Sequence, residues 1–226
     1  MRKRKYTTLD DVGVSLDVLL EEVDDYYTTE LNKIKCVNIH PVLEIHNLVG
    51  TAKVLSSSGE LDLDSMSVLI PNCTYNRQKF AAITIRLHYP ACTALLFTSG
   101  KMVLTGCKTY IECISCALQV VSLLKNSLRA THFTLCSVYV QNMVGNVSLN
   151  LAEGKCINLK KMQDENRIFC TYQKKMFPGL IYRPEKSPIV LLLFTSGKIV
   201  VTGGKSVSDM QEGWKILWEF VYKYIT

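Results

Sequence analysis

Eight side chains recur in this chain in one order and at nearly one spacing. Phe80 and Phe97 return 97 residues later as Phe177 and Phe194, Thr105 returns as Thr202, and Asn47 returns 95 residues on as Asn142. None of the eight ionises in the physiological range, so the set carries no acid–base or nucleophilic chemistry. Asn amides and Thr hydroxyls donate hydrogen bonds, and phenylalanine rings offer flat apolar wedges. The residues that could support catalysis or metal binding are scattered by comparison. His40, His46, His88 and His132 form no HExxH and no Cys/His cluster. The run TGGKS at 202–206 stops short of a phosphate-binding loop, because Ile199 stands where that motif needs its first glycine. Cys113 and Cys116 form a CxxC, but a zinc site would want a second pair and a redox site a βαβ context. They read as two small buried residues of a helix. Nine cysteines without framework spacing read as reduced thiols of an intracellular protein. No enzyme, cofactor or metal is expected.

The elements that position the eight follow from the repeat itself. LLFTSGKMVLTG at Leu95 returns as LLFTSGKIVVTG at Leu192, HNLVG as QNMVG, and KFAAITIR as MFPGLIYR. A solenoid unit would be shorter, roughly 20–50 residues, so the chain reads as two fused halves related by a pseudo-twofold axis. Each half reads as a strand bearing the Asn, then a short helix (LDLDSMSVLI or INLKKMQDENRI). A run of strands follows, and a long helix closes the half (YIECISCALQVVSLLKNSL or DMQEGWKILWEFVYKYI). The TSGK turns supply glycine where a tight hairpin needs positive φ. Consecutive strands make the sheet antiparallel, with helices segregated to one face: an α+β fold.

Alternation then assigns the faces. Leu95 and Phe97 share a face with Val103 and Thr105; Leu192 and Phe194 share one with Val200 and Thr202. Asn47 with Val49 and Asn142 with Val144 have the same period. A face of Val, Leu, Thr, Asn and Phe left bare by the helices is more apolar surface than a soluble protein exposes without a ligand. The minor groove of DNA suits it. Its floor presents acceptors at A·T pairs, and G·C pairs add an exocyclic amine. Asn and Thr donate to those acceptors, and close-packed Val and Leu leave no room for the amine. Phe wedges between base steps, and Lys and Arg at the margins hold phosphates.

The motifs FAAITIR, ALLFTSGKMVLTG, QNMVG, FPGLIYR and IVLLLFTSGKIVVTG resemble the TATA-box-binding protein family over about residues 34–226. The resemblance implies a pseudo-twofold saddle: two tandem repeats forming a curved antiparallel sheet of about ten strands, with four helices on the convex face. It implies wedge pairs Phe80/Phe97 and Phe177/Phe194, with Pro178 following its Phe as in the family. It implies a central pair Asn47 and Asn142, flanking Thr105 and Thr202, and an apolar floor of Val49, Val144, Val103, Val200, Leu95 and Leu192. Arg86, Arg183, Lys101, Lys108, Lys198 and Lys205 fall where basic residues meet phosphates. The implied function is a transcription initiation factor that binds and kinks A·T-rich double-stranded promoter DNA. The implied partners are TFIIB-like and TFIIA-like factors and the RNA polymerase machinery, with the chain a monomer on DNA and no membrane partner. Two departures stand out. The stretch before the second FPGL carries Lys174 and Lys175 where the family is acidic, and the first long helix is nearly neutral where the family's is basic. They read as a divergent lineage, that of a large DNA virus or of a protist, with the chain expected in a nucleus, or in a cytoplasmic viral factory if viral.

Three segments are expected: an arm at 1–33, one repeat at 34–130 and the other at 131–226. Residues 1–35 carry six Lys/Arg against eight Asp/Glu, and the remainder twenty against twelve, so the body is basic and attracts polyanions. Within residues 1–35 Leu16, Leu19, Leu20, Val23, Tyr26, Tyr27, Leu31 and Ile34 make a helical stripe opposite an acidic face. That face either stays solvated, docks a partner or lies over the basic body until DNA displaces it. No apolar run of span length is expected. The alternative function is a protein-interaction module in transcription that kept the fold but bound DNA weakly or not at all.

Overall fold

The computed structural model describes residues 41–57, 59–128 and 133–226. The arm at 1–33, with its helical stripe and its proposed masking of DNA-binding surface, lies outside the described residues. The described chain forms ten strands and four helices, and every strand pairing within the two units is antiparallel. It divides into two compact units. One is Leu48–Val140; the other is Gln141–Thr226 together with the short stretch up to Asn47.

In the first unit the order along the sheet is β2 (Cys73–Asn76), β3 (Phe80–His88), β4 (Ala91–Phe97), β5 (Lys101–Cys107) and β1 (Glu44–Ser56). The hairpin between β4 and β5 turns at Gly100, whose φ is 75°. A Cβ there would come within 2.1 Å of the Val54 carbonyl oxygen, so both the turn and the neighbouring strand require glycine. On one face of this sheet Ala52, Ile83, Ile85, Ala94, Leu96, Met102 and Leu104 are buried. Two helices cover that side: α1 (Leu63–Leu69), which buries Leu63 and Met66, and α2 (Tyr110–Leu128), which packs on β4 and β5. Helix α1 begins where the Asp62 carboxylate accepts the Ser65 N–H at 3.3 Å. Helix α2 begins where the Thr109 hydroxyl accepts the Glu112 N–H at 3.1 Å.

Helix α2 corrects one expectation. It is 19 residues long, and an 18-residue window within it has a mean hydropathy of 1.3, enough by length and composition to cross a membrane. Its Cys113, Cys116, Ala117, Val120, Val121 and Leu124 are buried, at the three-and-four spacing of a helix that covers a sheet. Length and composition alone do not separate such a helix from a span; the buried stripe makes it a core element.

The second unit repeats the plan in the order β6 (Phe133–Ser148), β10 (Lys198–Thr202), β9 (Val190–Leu193), β8 (Leu180–Tyr182) and β7 (Cys170–Thr171). Helix α3 (Leu159–Glu165) starts at Asn158, whose side chain accepts the Lys161 N–H at 3.0 Å. Helix α4 (Val207–Tyr222) starts with a capping box between Ser206 and Asp209. It buries Met210, Trp214, Leu217 and Val221. The Trp214 indole N–H donates to the Pro41 carbonyl at 2.8 Å, which fastens the chain before β1 to this unit. Both short helices and both long ones form where the sequence pattern places them. Among the described residues no charged side chain is buried. The cysteines at the described positions are unpaired thiols, and burial pushes the Cys170 thiol up to about 11.

Candidate nucleic-acid interface

Strand register gathers the recurring side chains on the face of each unit away from its helices. In the first unit Leu95 lies opposite both Val103 and Thr84, and Thr105 opposite both Thr93 and Val49. Because side chains two apart share a face, Val49, Leu95, Val103 and Thr105 stand together. All four are only partly buried, whereas the alternate residues Leu48, Ala94, Leu96, Met102 and Leu104 are buried beneath the helices. Phe97 closes β4 opposite Ala82 on the same face. Phe80, two residues before Ala82, is 46 % exposed. The two rings pack edge to face with centroids 6.2 Å apart.

The second unit matches position for position. Thr202 lies opposite both Val144 and Val190, and Val200 opposite both Asn146 and Leu192. Phe177, which is 37 % exposed, meets Phe194 edge to face at 5.7 Å. The two rings straddle Gly179, where a Cβ would come 2.7 Å from Phe177 Cε1 and 3.0 Å from Phe194 Cε1. The first unit has Ala82 at that place and a pair 0.5 Å wider. Pro178 is exposed beside Phe177.

Asn142 has a fixed orientation. The Gly203 backbone N–H donates to its side chain at 2.9 Å, and a backbone N–H only donates, so the atom it meets is the amide oxygen Oδ1. The Nδ2 amide then donates to Thr202 Oγ1 at 3.0 Å. The acceptor end of Asn142 is thus committed to the Gly203 N–H and lies 3.2 Å from the Thr202 hydroxyl, while the NH2 group and that hydroxyl lie together. Asn47, its counterpart, is half-buried in β1.

The basic residues divide by place. Lys101 and Lys198 are exposed at the starts of β5 and β10, two residues before Val103 and Val200 and so on their faces. Arg86 is exposed and in register with Thr93; Arg183 is exposed just beyond β8. Lys108 and Lys205 lie past the strand ends, in the turns entering α2 and α4, where their backbone N–H groups bind Glu112 and Asp209. These two therefore lie off the strand faces. Register also adds residues that the eight-residue pattern left out: Thr51, Lys53, Thr84 and Thr93 in the first unit, Asn146, Ile181 and Val190 in the second. The same alternation, continued along each strand, would have found them. A groove of about 830 Å³ runs beside the second face, lined among others by Phe194, Lys198, Val200, Asn146 and, across it, Glu44 and His46.

Residues 42–127 and 137–224 match the sequence model of the family described as transcription factor TFIID, or TATA-binding protein. A TATA-box-binding protein of Tetrahymena thermophila is 34% identical over 187 residues, 83% of this chain and 72% of that protein. One from Saccharomyces cerevisiae is 32% identical over 80% of this chain and 71% of its own length. Among solved structures, Methanococcus jannaschii TBP superposes with a TM-score of 0.67 at 28% identity, covering 81% of this chain and 99% of that one.

Proposed function

The chain belongs to the TATA-box-binding protein family and is a transcription initiation factor of that type, and we propose that each unit lays its bare strand face into the minor groove of A·T-rich DNA. The observation that carries this reading is the match between the two faces. Each presents partly exposed Val, Leu and Thr in identical register, bounded by an edge-to-face pair of phenylalanines.

The chemistry is recognition without catalysis. Val49, Val103 and Leu95, with Val144, Val200 and Leu192, form a surface that accepts the smooth floor of A·T pairs and excludes the guanine amine. Thr105 and Thr202 and the amides of Asn47 and Asn142 supply donors for the adenine and thymine acceptors. The face is too wide for an undeformed groove. Three adjacent strands span about 10 Å, whereas the groove is about 6 Å wide, so the duplex must open. The phenylalanine pairs, placed at the strand ends, hold it open by entering base steps; wedging of this kind is the known behaviour of this family. Lys101, Lys198, Arg86 and Arg183 are placed to meet phosphates as the backbone splays, and Lys108 and Lys205 to meet them from the strand ends. The helices, turned away from DNA, are left to TFIIB-like and TFIIA-like factors and the polymerase machinery. Exposed Lys174 and Lys175, just before Phe177, ask for an acidic surface on the factor that docks there.

The test is fluorescence anisotropy on an A·T-rich duplex with end-to-end energy transfer to read bending. Wild type should bind and bend, while Phe97→Ala with Phe194→Ala should weaken binding and straighten the duplex. Equal, weak binding by both would favour the alternative, a protein-interaction module that keeps the fold without reading DNA.

A further inference from the structure

Four cysteines of the Leu48–Val140 unit converge where β4, β5 and α2 meet. Cys92 is the second residue of β4 and Cys107 the last of β5, while Cys113 and Cys116 lie one turn apart near the start of α2. All four are buried. The Sγ atoms of Cys92, Cys107 and Cys116 lie within 4.8 Å of one another. Cys107 Sγ is 3.9 Å from Cys116 Sγ. The Cys113 thiol reaches Cys107 but stands outside the group of three, turned toward Gly50, so its ligation takes a rotation of that side chain. Four sulfurs at about 2.3 Å from a tetrahedral zinc ion are about 3.8 Å apart along each edge. The spacing of Cys107 and Cys116 is that edge.

The other unit shows what the fold itself requires at this junction. The four positions 97 residues on are Ile189, Gly204, Met210 and Gly213. A Cβ on Gly213 would come 2.4 Å from Ile189 Cγ1, and one on Gly204 would come 2.8 Å from Met210 Cγ. Two hydrocarbon side chains fill the space there, and two glycines make room for them. Apolar volume alone satisfies the junction, so a fourfold convergence of thiols in the first unit is a separate feature. The CxxC looked isolated in sequence because its companions come from the ends of two strands.

We propose that Cys92, Cys107, Cys113 and Cys116 form a tetrathiolate site for one structural zinc ion, which ties β4 and β5 to α2. Four protein ligands close the coordination sphere, as structural zinc requires, and an all-sulfur tetrahedral set selects zinc or an iron–sulfur centre. Loading one Zn²⁺ releases four thiol protons and leaves a dianionic centre. Cys113 lies in the first turns of a 19-residue helix whose positive end favours that charge.

The experiment uses the full chain, purified under reducing conditions from zinc-supplemented cells. Elemental analysis should find one zinc per chain. Cobalt(II) added to stripped protein should give thiolate-to-cobalt charge-transfer absorption and the strong visible bands of a tetrahedral site. The variant Cys92→Ile, Cys107→Gly, Cys113→Met, Cys116→Gly copies the other unit's packing; it should fold and lose both signals. Cys107→Ser alone should weaken the charge-transfer band without relying on that repacking. Wild type without zinc and without a cobalt band overturns the proposal, leaving the thiols as packing. Zinc retained by the fourfold variant overturns it by placing the ion elsewhere, and iron with sulfide in place of zinc overturns the choice of metal.

Discussion

Replacing Phe194 by Ala tests the two rings of a pair as one wedge. Phe194 meets Phe177 edge to face at 5.7 Å. Truncation removes the ring's own contact with a base step, worth about 1–3 kcal/mol by analogy with base–aromatic stacking. It also removes the ring's support of Phe177, worth about 0.5–1.5 kcal/mol. The summed loss of about 1.5–4.5 kcal/mol corresponds to a Kd raised by roughly tenfold to a thousandfold. Phe177→Ala should lose a similar amount. If the rings act together, the double variant should lose less than the sum of the singles by about 0.5–1.5 kcal/mol. The assay is anisotropy titration of all four proteins on one A·T-rich duplex at one salt concentration, since binding depends steeply on salt. Thermal unfolding runs in parallel, so that loss of fold is not counted as loss of contact. The Phe80/Phe97 pair, at 6.2 Å, should give a second cycle of the same sign. Strict additivity in both cycles would refute the joint wedge, and unchanged affinity of the singles would refute wedging altogether.

Asn142→Asp keeps an acceptor for the Gly203 N–H but replaces the donor end by a carboxylate oxygen facing an acceptor-lined groove. It should fold with little change in Tm yet bind DNA at least about tenfold more weakly, as anisotropy would show. Gly179→Ala places a methyl 2.7 Å from Phe177 Cε1. The ring is free to swing, so the pair should widen toward the spacing of the Ala82 unit, with stability changed by less than about 1 kcal/mol; a crystal structure and a denaturant titration check both. Lys198→Ala should lower the salt slope of log Kd by about 0.9 without altering preference among sequences, read from titrations at several salt concentrations. Leu104→Ala, at a fully buried position under α2, should cost about 2–5 kcal/mol of stability by denaturant unfolding.

The repeat, the helices and the alternating faces were legible in the sequence because each rests on a local period. TSGK twice over fixes where the hairpins turn, and side chains two apart share a face wherever a strand forms. Arg86 could be placed on the Thr93 register only once β3 was seen to pair with β4. Lys108 and Lys205 carried the same expectation as Lys101 and Lys198. The structure separates them, since a residue beyond the last strand pairing no longer follows the alternation. Helix α2 passes for a membrane span by composition, and only its buried stripe against β4 and β5 places it in the core.

Pattern within the chain therefore determined which residues share a surface, because two- and 3.6-residue periods are properties of the backbone alone. Which strands lie side by side, which end of Asn142 faces outward, and how Cys92 and Cys107 come to meet Cys113 and Cys116 were decided by tertiary structure. Those relations join residues far apart in the chain, and they exist only after the sheet has chosen its register and the helix has closed over it.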